Sequence, residues 1–181
     1  MISIINNPYS TVAYFRMEDY DRLLQSGTQK RILEKTGVRK LLEKLGIGGE
    51  EPAYRESGQP YFKNRPELFL SISHAKGWFA VSVGSVPVGV DIQTTSSRLK
   101  QGKDYFRNEQ EARFSADEKA LHLIWGAKEA VYKLKEGKLK DLKEEVVFRS
   151  FTEDALVVEC QSHPMTLGYR PIENGFLVFT R

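Results

Sequence analysis

The 181-residue chain is 40% hydrophobic and 28% charged, with a net charge of +3, which is enough apolar content for a core and excludes a long disordered tract. Its single cysteine, Cys160, excludes an internal disulfide and a cysteine-rich zinc site and fits a reducing compartment. Residues 1–12 lack the basic-then-apolar order of a secretory signal, and no apolar run approaches the ~18 residues of a membrane span, so a soluble, cytoplasmic protein with no membrane partner is expected. The mild positive charge suits an anionic ligand or an acidic partner without requiring nucleic acid.

In chain order, Ile2–Ile5 and Thr11–Arg16 are rich in β-branched and aromatic residues and predict strands. Gln29–Leu45 predicts a helix with Leu41, Leu42 and Leu45 on one face and Gly46 as its stop; Thr36-Gly37 weakens its middle. Residues 48–60 predict a loop with a turn at Gly58-Gln59-Pro60. Strands are predicted at Leu68–Ser73, Trp78–Val83 and Val88–Gln93, with Gly84-Ser85 forming a hairpin between the last two. Residues 108–136 have a helical period, with Ile124, Ala127, Val131 and Leu134 as the apolar stripe and Gly137 as its end. Four further strands follow at residues 146–148, 156–160, 165–169 and 176–180, the last entered through an Asn174-Gly175 turn. The pattern is α+β and falls into two parts, residues 1–86 and 87–181.

Three segments hold residues that could do chemistry. In a strand over residues 88–93, Val88, Val90 and Ile92 share one face, leaving Gly89, Asp91 and Gln93 on the other. A carboxylate there suits a hard cation such as magnesium, or simply faces solvent. In the helix, Trp125, Glu129 and Lys133 share a face. Glu129 could bind a metal or accept a proton, and Lys128 and Lys133 could contact phosphates. The competing reading is an ordinary Glu–Lys pair at i, i+4, contributing about 0.2–0.5 kcal/mol. At a strand end, Ser73 and His74 could hydrogen-bond a phosphate. As strand neighbours they point to opposite faces, which places them poorly as a nucleophile–base pair. There is no Gly-x-Ser-x-Gly elbow, no dinucleotide-binding glycine motif and no P-loop, and the three histidines lack metal-ligand spacing. The basic stretch Lys133–Lys143 is interrupted by Glu136, Gly137 and Asp141 and reads as a solvated helix end, then as a surface for an acidic partner.

Taken together, Gly58-Gln59-Pro60, Ser71-Ile72-Ser73-His74, Val88-Gly89-Val90-Asp91-Ile92 and Trp125-Gly126-Ala127-Lys128-Glu129-Ala130-Val131-Tyr132-Lys133 resemble the phosphopantetheinyl transferase superfamily, in its full-length, surfactin-synthetase-activating type. The resemblance runs from about Gln29 to Gly137. It implies a pseudo-dimer of two similar halves, each a small, mainly antiparallel sheet packed with a long helix. It implies magnesium bound by Asp91 and Glu129, with Gln93 ligating directly or through water, and coenzyme A as co-substrate. Glu129 would be the general base, and Lys133 would stabilise the leaving group. Ser73, His74, Lys128, Lys133, Arg31, Arg39 and Gln59 would contact the nucleotide and its phosphates. Many members have a second acid where this chain has Gln93, and Lys where it has Gln59. A Phe followed by an acid corresponds to Phe106 and either Glu109 or Glu111. The implied activity moves the 4′-phosphopantetheine arm to a serine of an acyl carrier protein, or of a peptidyl or polyketide carrier domain, by a monomer. The competing functions are a non-catalytic relative that binds coenzyme A or a carrier domain, and a nucleic-acid-binding module.

Overall fold

The computed structural model describes residues 1–114 and 116–181 and is an α+β fold of two antiparallel sheets. The first sheet contains β1 (Ser3–Asn6), β2 (Ser10–Arg16), β3 (Pro52–Tyr54), β4 (Pro60–Phe62), β5 (Phe69–Ala75) and β6 (Trp78–Gly84), in the order β1-β2-β6-β5-β4-β3. Helices α1 (Tyr20–Gln25) and α2 (Lys30–Lys44) connect β2 to β3. The second sheet contains β7 (Val90–Thr94), β8 (Val146–Phe151), β9 (Ala155–Cys160), β10 (His163–Ile172) and β11 (Gly175–Thr180), in the order β7-β11-β10-β9-β8. Between β7 and β8 run α3 (Ser97–Gln101), α4 (Lys103–Phe106), a 3-10 turn (Glu109–Phe114), α5 (Glu118–Leu134) and α6 (Leu142–Glu145). From β2 onward both sheets follow one scheme of connections. A strand leads into helices, four strands return antiparallel, and the last of them pairs with the first.

Strand alternation fixes the layering. Ala13, Phe15, Phe79 and Val81 face α2 and pack with Leu33, Leu41 and Leu42. Val12 and Ala80, on the opposite face of the first sheet, pack against Val90, Ile92, Leu177 and Phe179 of the second. The outer face of the second sheet contributes Val158, Leu167, Tyr169 and Val178 to a core with Ile124, Ala127 and Val131 of α5. The molecule is therefore layered helix, sheet, sheet, helix. Each fully buried large apolar side chain contributes about 1.5–3 kcal/mol. No helix among the described residues is long and apolar enough to cross a membrane.

Several local expectations are corrected. The Gly84-Ser85 hairpin does not form, because β6 pairs with β2 and β5 while β7 starts the other sheet. The tight turn lies instead at Lys76-Gly77, with φ of 43° and 84°, the doubly positive geometry that a two-residue hairpin requires. A side chain at Gly84 would meet the Tyr9 carbonyl at 2.7 Å, so this glycine serves the crossing between sheets. The helix expected over 108–136 is divided, because Asp117 caps a fresh start by accepting from the Ala120 N–H at 3.1 Å. Ser115, within that expected helix, lies outside the described residues. The loop expected over 48–60 contains the short β3. The Gly37 helix stays in one piece, and a Cβ there would stand 2.5 Å from the Phe79 ring, so the missing side chain lets α2 lie close to β6.

Candidate active site

β7 is an edge strand, and its free edge is covered by side chains. Its odd-numbered backbone groups bond to β11, leaving the N–H groups of Val90 and Ile92 pointing away. Ser71 Oγ accepts from Val90 N at 3.0 Å, and Ser73 Oγ accepts from Ile92 N at 3.1 Å. Lys133 Nζ, reaching from α5, donates to the Val90 carbonyl at 3.0 Å. These contacts fasten the second sheet's edge to β5 of the first sheet, so the site lies where the two sheets and α5 meet.

Asp91, buried at this seam, accepts from Ser73 Oγ at 3.0 Å and from Lys133 Nζ at 2.9 Å, both on Oδ1. Gly89 makes the approach possible, since a Cβ there would fall 1.9 Å from the Ala130 carbonyl oxygen of α5. Gly89→Ala should consequently cost upward of ~1–3 kcal/mol, the usual cost of overpacking. Gly49→Ala, where a Cβ would find nothing within 4 Å, is the control. Urea midpoints of the two variants check this, and equal midpoints would contradict it.

Glu129 is half-buried and makes no hydrogen bond or ion pair among the described residues. Burial first, and then the Asp91 carboxylate, push its carboxyl above the ordinary carboxylate range; Lys133 pulls partly back. It opens on a cleft of about 200 Å³ that Gln59, Ser71, Tyr132, Lys133 and Glu136 also line. Two of the three ammonium donors of Lys133 are engaged by Val90 and Asp91, leaving one for an anion in that cleft. A second, larger groove of about 720 Å³ runs along α2 and is of mixed charge, gathering Arg31, Lys35, Arg39 and His74 with Glu34, Glu43, Glu50 and Glu51. Ile72 of β5 borders both cavities, so they adjoin. The His74 side chain is 40% exposed, with Nδ1 3.3 Å from Glu34 Oε1.

Of the residues expected from the sequence, Glu129, Lys133 and Gln59 line the cleft, buried Asp91 is joined to it through Lys133, and Arg31, Arg39 and His74 share the groove. Three expectations are corrected. Ser73 holds Asp91, and its only proton is committed there, so it has no donor for a phosphate. Lys128 points to the other side of α5. It is 0% exposed, 3.1 Å from Glu111 Oε1, and donates to the Lys143 and Val146 carbonyls. Burial pulls it below the ordinary lysine value, with Glu111 opposing. It is a structural ion pair and not a phosphate contact. The two candidate acids differ in setting: Glu111 is buried in this pair and Glu109 is exposed. Gln93 turns both ends of its amide to protein partners: Nε2 donates to the His122 carbonyl at 2.9 Å, and Oε1 lies 3.1 Å from His122 Nδ1. His122 takes one lone pair of that oxygen, and Gln93 is held against His122 and does not line the cleft.

Ser71 and His122 were not expected. Ser71 could have been found from the Ser-x-Ser alternation on one strand face, and His122 from its i, i+7 relation to Glu129. Among the described residues no group of three or more His, Cys, Asp or Glu side chains is assembled for a metal. Magnesium needs only one or two carboxylates, with water and phosphate oxygens completing its shell, so Asp91 and Glu129 fit it. Burial is the larger cause of the raised Glu129 carboxyl, and the repulsion from Asp91 that adds to it is what a divalent cation would relieve. No protein-family model matches the chain, and no curated protein matches it.

Proposed function

We propose that the chain transfers the 4′-phosphopantetheine arm of coenzyme A to a serine hydroxyl of a carrier protein. The observation that carries this reading is the pairing of buried Asp91 of β7 with Lys133 of α5, which together with Glu129 lines a cleft adjoining the groove that holds Arg31, Lys35, Arg39 and His74 among four glutamates. The shared order of connections in the two sheets supports a pseudo-dimer.

In this reading the groove takes the nucleotide end of coenzyme A, with Arg31, Arg39 and His74 near its phosphates, and the cleft takes the pyrophosphate. Asp91 and Glu129 would hold magnesium, which when bound neutralises charge developing on the pyrophosphate. Glu129 accepts the proton of the attacking serine. The serine oxygen forms a bond to the β-phosphorus as the bond to the bridging oxygen breaks, and adenosine 3′,5′-bisphosphate leaves. The remaining donor of Lys133 stabilises that leaving group. The chain would act as a monomer in the cytoplasm, where its one buried thiol, Cys160, stays reduced.

Release of adenosine 3′,5′-bisphosphate from coenzyme A tests this. It should require an apo carrier and stop when the acceptor serine of the carrier is alanine. Release that ignores the carrier would indicate hydrolysis instead and overturn the reading. A further expected result concerns the groove. His74→Ala should raise KM for coenzyme A and leave kcat unchanged, as for a contact shared by ground and transition states. Dephospho-coenzyme A, lacking the ribose phosphate, should show little change. An equal loss for both ligands would show that His74 does not contact that phosphate.

A further inference from the structure

Behind Asp91 lies a chain of hydrogen bonds that the proposed chemistry does not use. The amide of Gln93 admits one orientation only. The His122 carbonyl can only accept, so Nε2 of Gln93 must face it, at 2.9 Å. Oε1 then faces His122 Nδ1 at 3.1 Å, which requires that Nδ1 carry the proton. The other ring nitrogen is left as an acceptor, and the Ser96 N–H meets it at 3.4 Å. Every partner in this loop agrees with a single tautomer. The second proton of Gln93 Nε2 points to Asp91 Oδ2 at a long 3.5 Å. Gly126 supplies the room, since a Cβ there would lie 2.6 Å from Gln93 Nε2. Burial favours the neutral ring, which the single tautomer requires.

We propose that Gln93 and His122 are positioning residues for Asp91, an interlocked amide–imidazole pair that fixes one oxygen of Asp91 from behind and keeps the cation site at two carboxylates. The proposal rests on the reading of Asp91 as a cation ligand. Ser73 and Lys133 hold Oδ1, and among the described residues Gln93 alone reaches Oδ2. His122 in turn fixes Gln93 at both ends, so a change at His122, which does not touch Asp91, should be felt there. A carboxylate at position 93 would face two acceptors, the His122 carbonyl and Asp91, and would be relieved by a cation or by taking up a proton.

The experiment measures Mn²⁺ binding by electron paramagnetic resonance with coenzyme A present, and melting temperature with and without Mg²⁺, for four proteins. His122→Phe keeps the ring and removes the donor; it should weaken Mn²⁺ binding by about 10–100-fold, the usual effect of losing a group that orients a ligand. His122→Asn places an N–H near the position of Nδ1 and should regain most of that affinity. Gln93→Glu should melt lower than wild type without divalent ions and gain more than wild type when Mg²⁺ is added. Wild-type Mn²⁺ affinity in His122→Phe would overturn the positioning role while leaving the proposed activity standing. Absence of Mn²⁺ binding in the wild type would overturn both. If His122→Phe does not fold, Gln93→Glu decides, and a melting temperature indifferent to Mg²⁺ would reject the proposal.

Discussion

Glu129→Gln should lower the rate of carrier modification by about 10²–10⁴-fold, the usual loss of a general base, while the fold stays intact. The amide keeps the shape of the side chain but can neither take the serine proton nor offer a charged oxygen to magnesium. Stability should move in the opposite direction. The folded-state value of Glu129 lies above its unfolded value, because burial and Asp91 disfavour the charged form. The folded protein therefore holds that proton more tightly, and the contribution of Glu129 to stability declines as pH rises through the raised value. At neutral pH, Glu129→Gln should melt at or slightly above the wild-type temperature. In the wild type, kcat/KM should rise with pH through an apparent value above the ordinary carboxylate value of about 4.3. Near-wild-type turnover in the variant would remove Glu129 from the mechanism. A large fall in melting temperature would mark it as a structural residue.

Lys128→Met should be among the most destabilising single changes in the chain, at about 3–5 kcal/mol, because it leaves a buried carboxylate without its cation. Glu111 would lose its charge partner while still accepting from the N–H groups of Asn108 and Phe148, at 2.9 and 2.7 Å. The Lys143 and Val146 carbonyls would lose the Nζ donor as well. Urea unfolding measures the loss. The Glu111→Met, Lys128→Met double variant should recover part of it by removing the stranded charge, and not all, because those N–H groups then go unmet. A cost under ~1 kcal/mol in the single variant, the level of a surface pair, would show that the ion pair is solvated.

Periodicity carries the reading of the sequence a good distance. Alternation over 88–93 places Asp91 and Gln93 together, and the helical period places Glu129 and Lys133 on one face; the structure brings these two surfaces into contact. What periodicity does not supply is the partner of each side chain. Lys128 is about 100° around the helix from Glu129, and whether that direction meets solvent or protein depends on Glu111, on a separate element. Ser73 is a phosphate donor or a brace for Asp91 according to where its one proton goes, and that is set by how β5 lies against β7. Gly84-Ser85 looks like a hairpin locally, and only the pairing of β7 with β11 shows that the chain there changes sheets. Gly37, a weak point by helix propensity, is explained by the Phe79 ring beneath it.

The most direct measurement is the intact mass of an apo acyl or peptidyl carrier protein after incubation with this chain, coenzyme A and Mg²⁺. The account predicts a gain of ~340 Da, the mass of the phosphopantetheine arm, on the carrier's acceptor serine, lost when Mg²⁺ is chelated and when Glu129 is replaced by Gln. An unchanged mass across several carriers, at Mg²⁺ concentrations where the chain binds coenzyme A, would contradict it.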